Sequence, residues 1–156
     1  KFVSMQNHYN LVYREEEREM NPYCRATGVG LLPWSPLARG FLAGNRKPGE
    51  GGSADRSAGA TSRAATDEIA QKFYYRDSDF AVVDAVTQLA REKGVANAAL
   101  AYAWLLHQLG VSSPIIGVSK PGQLEQALAA LQVSLTGDEL ARLASAYQPH
   151  PVIGHG

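Results

Sequence analysis

The stretch GVGLLPWSPLARG, residues 28–40, decides the fold that this sequence predicts. Its apolar run from Val29 to Trp34 is short and is bounded by glycine and proline, which is typical of a buried strand. Two further short β-prone runs lie at residues 2–6 and 114–118, and helix-forming sequence separates the three runs. Strands that alternate with helices pair in parallel, so we predict an α/β fold. Because an isolated three-stranded sheet would expose both edges, we expect one arc of a larger barrel.

The helical segments are predicted from apolar periodicity and from residues typical of helix ends. They are a helix over residues 15–25 ended by Gly28; a helix capped by Ser78 and ended by Gly94; a helix capped by Asn97 and closed by Gly110; a helix from Pro121 whose Leu124, Leu128 and Leu131 face inward; and a last helix with a capping box of Thr136 and Glu139.

Two segments are predicted to be irregular. Residues 44–66 are rich in Gly, Ser and Ala and hold no large apolar residue, so we expect a flexible loop that closes over a bound ligand. Residues 148–156 contain two prolines and two glycines, which indicates an irregular C-terminal tail.

Composition excludes several classes of function. The 156 residues (16.8 kDa, 45% hydrophobic) suit one domain, and 15 basic against 15 acidic residues argue against nucleic acid or a membrane surface as a partner. The single Cys24 and the spacing of the four histidines give no support for a disulfide framework or a metal site. Without a signal peptide or an apolar run long enough to span a membrane, we expect a cytoplasmic protein. Strand-forming residues begin at Lys1 without an initiator Met, so we expect a fragment.

Candidate binding residues follow the predicted strands, because ligands of α/β proteins gather at the carboxyl ends of parallel strands. After the second strand, Trp34 is placed to stack on a flat ring, although a buried core position is its commoner role. After the third strand, Ser119 and Lys120 precede a helix whose free N–H groups favour a phosphate, although both are also ordinary surface residues for a helix start. His8 beside Tyr9 is a weaker acid–base candidate, since no carboxylate stands at a recognisable spacing.

Three motifs in this order resemble the aldo-keto reductases: SMQNHYNL at residues 4–11, PWSPLARGFLAG at residues 33–44 and IIGVSKPGQL at residues 115–124. The tail YQPHPV, residues 147–152, is similar to that of the bacterial 1-deoxyxylulose-5-phosphate-forming subgroup. The resemblance implies the C-terminal part of a (β/α)8 TIM barrel: about the last three strands with their helices, plus two extra helices. It also implies NADP(H) as cofactor and a small-molecule carbonyl as substrate.

The resemblance implies a cofactor role for ten residues. Gln6 would hold the nicotinamide carboxamide, and Trp34 would stack on the nicotinamide. The pyrophosphate would be lined by Ser35, Pro36, Leu37 and Gly40; the 2′-phosphate would meet Ser119 and Lys120; and the adenine would lie near Gln123 and Gln126. The family more often has Glu where Gln126 stands. No residue of this chain matches the family's catalytic Asp-Tyr-Lys-His tetrad, so no catalytic residue is assigned.

Three interpretations remain open at the level of the sequence. The first is the cofactor-binding part of an NADPH-dependent carbonyl reductase, which needs the missing N-terminal part of the barrel or a self-associating copy. The second is a truncated, non-catalytic nucleotide-binding or regulatory module of the same fold. The third is a degraded or incomplete reductase. An upstream sequence that contains the tetrad favours the first or the third.

Overall fold

A computed structural model describes residues 1–44, 70 and 73–152 of the chain. Its centre is a short parallel sheet of two strands, β1 (Ser4–Met5) and β2 (Gly30–Leu31). Ser4 pairs with Gly30 and Met5 with Leu31, so the predicted parallel order of the first two strands is confirmed. Beyond β2, a parallel bridge between His8 and Trp34 continues this pairing.

The third strand predicted at residues 114–118 is wrong in extent. The chain does run parallel to β2, but the pairing begins earlier, with a bridge between Val111 and Leu31. Ser112 N–H donates to Leu31 O at 2.9 Å, and Ile115 N–H donates to Pro33 O at 2.8 Å. Pro114 lies between these two bonds and has no N–H to donate, which interrupts the ladder. Three extended segments therefore lie side by side, and two of them are regular strands.

Helices surround this sheet in the described part of the chain. They are a 3₁₀ turn at Glu15–Glu17, α1 (Met20–Thr27), a kinked 3₁₀ segment at Ala38–Ala43, α2 (Asp77–Lys93), α3 (Asn97–Leu106), α4 (Pro121–Ala129), a 3₁₀ turn at Ala130–Gln132 and α5 (Gly137–Ser145).

Helices begin or end where the sequence predicts when the local signal is a glycine or a capping box. Gly28 and Gly94 end α1 and α2 in the left-handed conformation, at φ 70° and 69°. Thr136 Oγ1 accepts from Glu139 N–H, and the Glu139 carboxylate accepts from Thr136 N–H, as predicted for α5. Pro121 is the first residue of α4, also as predicted.

Other predicted helix bounds are corrected. The segment at residues 15–25 is a 3₁₀ turn followed by α1, not one helix. Helix α2 begins at Asp77 rather than after Ser78, because the Asp79 carboxylate accepts from Arg76 N–H and fixes the start there. Asn97 is not a cap: it is the first residue of α3, its side-chain N–H donates to Thr87 Oγ1 at 2.7 Å, and the helix ends at Leu106 before Gly110.

Helix α3 forms the centre of the core. Every residue from Ala98 to Leu105 is buried, so this helix is apolar on all sides. It packs against α2, α4 and the segment at Ala38–Ala43. The largest fully buried side chains include Trp104, Tyr9, Tyr13 and Phe41, which join the sheet to the helices.

The prediction that the leucines of the fourth helix face inward is wrong. Leu124, Leu128 and Leu131 are 44%, 56% and 65% exposed. The chain packs here through Ala127 and the buried Ala130 instead. These alanines lie roughly 100° around the helix from the leucine face, by the geometry of 3.6 residues per turn.

The tail has no regular secondary structure over residues 148–152, but it is held in place. His150 is buried, its backbone N–H donates to Glu15 Oε1 at 2.8 Å, and its Nε2 lies 2.7 Å from Asp79 Oδ1.

The loop predicted at residues 44–66 lies outside the described residues except for Gly44. Within the described ranges, no helix is both long and apolar enough to cross a membrane.

Candidate functional site

The candidate site lies at the carboxyl edge of the three parallel segments. Leu32 N–H donates to Met5 O and Trp34 N–H donates to Asn7 O, which places the end of β1 beside the residues that follow β2. The bond from Ile115 to Pro33 brings the third segment to the same edge. Gln6, Trp34 and the chain entering α4 therefore leave the sheet on one side, as the sequence predicts for a ligand site.

Trp34 packs against His8. The two rings are 4.1 Å apart between centroids and 12° from parallel, and the other stacked neighbour of His8 is Tyr13, at 4.2 Å and 12°. The imidazole is therefore enclosed between two aromatic rings. Trp34 itself is half-buried, so it makes a core contact and keeps part of its surface exposed, and its stacking on a ligand ring stays a prediction.

His8 is held at its edge by Tyr74. The Tyr74 hydroxyl lies 2.6 Å from His8 Nε2. Burial lowers the pKa of His8 to about 4, with a smaller effect of nearby His150, and burial raises the pKa of Tyr74 to about 12. Both groups are neutral at pH 7, so His8 and Tyr74 are joined by an uncharged hydrogen bond.

Asn10 connects this ring cluster to the segment after Trp34. Its Nδ2 donates to the Ser35 carbonyl at 3.0 Å and lies 3.4 Å from the Tyr74 hydroxyl, while its Oδ1 accepts from the N–H groups of Val12 and Tyr13. The side chain is completely buried. It therefore ties the backbone at Ser35 to the turn that follows β1.

The backbone from Ser35 to Gly40 is strained. Ser35, Ala38 and Arg39 have φ values of 57°, 48° and 57°, and Gly40 has 92°. The left-handed region disfavours residues with a side chain, and such strain clusters at ligand sites. Pro36 is buried and Leu37 packs on the core, which holds this conformation.

The entrance to α4 gathers hydrogen-bond donors. Gln123 Oε1 accepts from the N–H groups of Ser119 and Lys120 at 2.7 and 3.1 Å, and from Ser119 Oγ at 3.2 Å. These three residues and Gln126 are exposed. The Gln123 carbonyl oxygen thus lies where the donors of a helix N-terminus converge, which is the position that an anion's oxygen takes in such sites.

Sequence reasoning missed a group of buried polar residues under the tail. Glu15 is 6% exposed and accepts from the Tyr147 hydroxyl at 2.6 Å and from His150 N–H. Burial raises the pKa of Glu15, but the hydrogen bonds from Tyr147 and His150 and the ion pair with Arg18 outweigh it, so the pKa lies below its usual value. The run of three glutamates at 15–17 looked like a solvated face, and nothing in its spacing distinguishes Glu15.

A cavity of about 480 Å³ lies elsewhere, between α1, α3 and α5. Three of its polar groups pair with one another: the Tyr9 hydroxyl donates to Glu17 Oε1 at 2.6 Å, and Arg14 binds the same carboxylate at 2.8 Å. It does not overlap the carboxyl edge of the sheet. Among the described residues, no group of three or more His, Cys, Asp or Glu side chains could hold a metal ion.

Comparison with known proteins gives one family. The profile of the Aldo/keto reductase family matches residues 1–148. A protein of Schizosaccharomyces pombe named as an aryl-alcohol dehydrogenase is 43% identical over 99% of this chain and 41% of its own length. A versiconal hemiacetal acetate reductase of Aspergillus parasiticus is 41% identical over 97% of this chain and 42% of its own length.

A solved structure shares the fold. A thermostable aldo-keto reductase, determined with the inhibitor epalrestat, superposes with a TM-score of 0.61 and 20% identity, covering 94% of this chain and 40% of the other. The chain spans about two fifths of the length of the curated relatives described above.

Proposed function

This chain belongs to the aldo/keto reductase family, and from that premise we propose that it forms the NADP(H)-binding part of a carbonyl reductase active site. The observation that carries the proposal is the shared carboxyl edge, where Gln6, the strained segment from Ser35 to Gly40 and the entrance to α4 leave one sheet together. A cofactor that binds in an extended form needs contacts distributed in this way.

The segment after β2 suits the nicotinamide and pyrophosphate end of the cofactor. We assign ring stacking to the half-buried Trp34 and a carboxamide contact to the exposed Gln6. The left-handed backbone of Ser35 and Gly40 supports a diphosphate contact, because backbone in this conformation clusters at ligand sites. Pro36 and Leu37 pack beneath this turn.

The entrance to α4 suits the adenosine end. We assign the 2′-phosphate to the N–H groups of Ser119 and Lys120 and to the Lys120 ammonium, with Gln123 and Gln126 near the adenine. A phosphate oxygen would replace Gln123 Oε1 as the acceptor of the donors that now meet there. The helix dipole and the lysine charge both favour a dianion at this position.

When bound, the cofactor supplies a hydride to a carbonyl carbon. The residues of this chain bind and orient it, and they include no match to the family's tetrad, so the proton donor lies outside this segment. We place the segment in the C-terminal part of the barrel and its substrate among small carbonyl compounds. The likeness to the bacterial 1-deoxyxylulose-5-phosphate-forming subgroup stays a prediction, since the relatives described above are fungal.

The exposed apolar surface of this segment supports the proposal that a partner covers it. Phe2 and Val3 are 88% and 81% exposed beside β1, and Leu128 and Leu131 are exposed on and after α4. We propose that the N-terminal part of the barrel covers β1 and that the assembly works in the cytoplasm. A self-associating copy is the alternative, and sedimentation of the purified chain distinguishes a monomer from a dimer.

The proposal is tested by titrating NADPH and NADH against the protein and its Lys120→Ala variant. A charge-assisted contact to phosphate changes affinity by roughly 10- to 150-fold, so the variant should weaken NADPH binding by about that factor and leave NADH unchanged. Arg91→Ala, which removes an exposed cation on α2, is the control and should bind both cofactors normally. Equal losses for both cofactors in the Lys120 variant would reject the 2′-phosphate assignment. A protein that binds neither cofactor would reject the proposed function.

A further inference from the structure

We propose that His8 is a positioning residue for Trp34: its imidazole packs against one face of the indole and, held by Tyr74, fixes the orientation in which the indole meets the nicotinamide ring. The inference rests on the proposed function, because it names the residue that sets the geometry of the proposed stacking contact. The family resemblance assigns roles to Gln6 and Trp34 and none to His8.

Two independent constraints join His8 to Trp34. Their backbones form a parallel bridge, and Trp34 N–H donates to Asn7 O at 2.9 Å. Their rings are stacked at 4.1 Å, and Tyr13 closes the opposite face of the imidazole at 4.2 Å. Because His8 is only 8% exposed and lies between two rings, the indole cannot tilt toward it.

The edge of the imidazole is fixed as well. A hydrogen bond of 2.6 Å joins the Tyr74 hydroxyl to Nε2 and prevents the ring from turning in its own plane. Asn10 approaches both groups at 3.4 Å and donates to the Ser35 carbonyl at 3.0 Å. The same network therefore orients Trp34 and the backbone of the next residue, the two neighbouring positions assigned to the cofactor.

The neutral state of His8 fits this role. Burial lowers the pKa of its imidazole to about 4, so it carries no charge at neutral pH. The ring can then stack behind Trp34 without placing a cation near the oxidised nicotinamide, which is itself positive. A phenylalanine at this position would keep the stacking and lose the bond to Tyr74.

The test compares His8→Ala, His8→Phe and Tyr74→Phe, with Tyr102→Phe as a matched control that changes another buried tyrosine. Dissociation constants for NADPH are measured by calorimetry. Acrylamide quenching is measured with Trp104 replaced by Phe, because the chain has two tryptophans and this leaves emission from Trp34 alone.

We expect His8→Ala to weaken NADPH binding by roughly 2- to 12-fold, the contribution of one aromatic pair. Its Trp34 emission should become more accessible to acrylamide. His8→Phe should restore most of both properties, Tyr74→Phe should fall between it and the alanine variant, and Tyr102→Phe should match the wild type.

Equal NADPH affinity in the wild type and in His8→Ala would overturn the positioning role while leaving the proposed function intact. Equal losses in His8→Ala and His8→Phe would overturn it too, because ring packing would then not be the cause. If His8→Ala does not fold, the positioning role is tested with His8→Phe and Tyr74→Phe. Their NADPH affinities and Trp34 quenching are then compared with those of Tyr102→Phe. A wild-type protein that binds no nicotinamide cofactor would reject the proposed function and this role with it.

Discussion

At the scale of single residues, the structure is distinguished by polar groups that are buried and paired over long sequence distances. His8 meets Tyr74, Glu15 meets His150, and Asp79 meets His150. Each pair joins residues that are at least 66 positions apart in the sequence. Buried pairs of this kind cost stability when one partner is lost, because the remaining group is left without water or a hydrogen bond. They therefore fix where the tail and the start of α2 lie.

The protonation of His8 predicts how stability depends on pH. Its pKa is near 6.5 when the chain is unfolded and about 4 when folded, so between these values only the unfolded chain takes up the proton. The free energy of unfolding should therefore fall as the pH is lowered from about 6.5 to about 4, by up to roughly 3 kcal/mol. Urea unfolding at several pH values in this window measures the slope.

His8→Phe is the control for this prediction, because it keeps a ring between Trp34 and Tyr13 and removes the titrating group. Its stability should depend less steeply on pH over the same window. Glu15, whose pKa lies below its usual value, still titrates in the variant, so some dependence should remain. Identical slopes in the two proteins would show that His8 does not carry the effect.

At the scale of elements, short strands are combined with helices of very different burial. Helix α3 is enclosed on all sides, whereas α4 has no buried residue in its span and exposes two leucines. Apolar periodicity alone predicts that the leucines of α4 face inward. In the structure, the smaller Ala127 and Ala130 make the contact with the core instead. Periodicity identifies an apolar face, but it does not identify the neighbour that covers it.

We predict that alanine substitutions at two glycines change the free energy of unfolding in opposite directions. Gly94 ends α2 at φ 69°, so Gly94→Ala should lower the free energy of unfolding by about 1–2 kcal/mol, the cost of a left-handed residue with a side chain. Gly122 lies inside the first turn of α4 with open space around its Cα, so Gly122→Ala should raise it by up to roughly 1 kcal/mol.

Chemical denaturation of both variants beside the wild type measures these changes. The local space around the two glycines is the same, since an added Cβ meets nothing within 4 Å at either position. The backbone conformation is therefore the variable. Changes of the same sign in both variants would contradict the assignment of these two helix ends.

At the scale of the whole molecule, the described part of the chain places the edge proposed to bind the cofactor next to exposed apolar surface. The family profile covers residues 1–148, and the chain spans about two fifths of its curated relatives. Phe2, Val3 and Leu109 are largely exposed. A complete barrel has no free sheet edge, whereas the described residues leave the edge beside β1 unpaired.

We expect the 156-residue chain to bind NADPH without reducing carbonyl compounds. Its residues include no match to the tetrad that the resemblance implies, so hydride transfer would lack its proton donor. Steady-state oxidation of NADPH with several aldehydes tests this, with the Lys120→Ala variant as a background control. Turnover that is well above the background and that depends on Lys120 would contradict the prediction.

The sequence by itself determined the family, the parallel order of the first two strands and the helix ends at Gly28, Gly94 and Thr136. Each of the helix ends depends on residues within about one turn, where backbone conformation and capping bonds are local. The tertiary structure alone decided that Trp34 stacks on His8, that Leu128 lies outside and that Glu15 is buried. His8 and Tyr74 are 66 residues apart, and Glu15 and His150 are 135 apart. Such contacts depend on how distant elements pack, which no local pattern of residue types specifies.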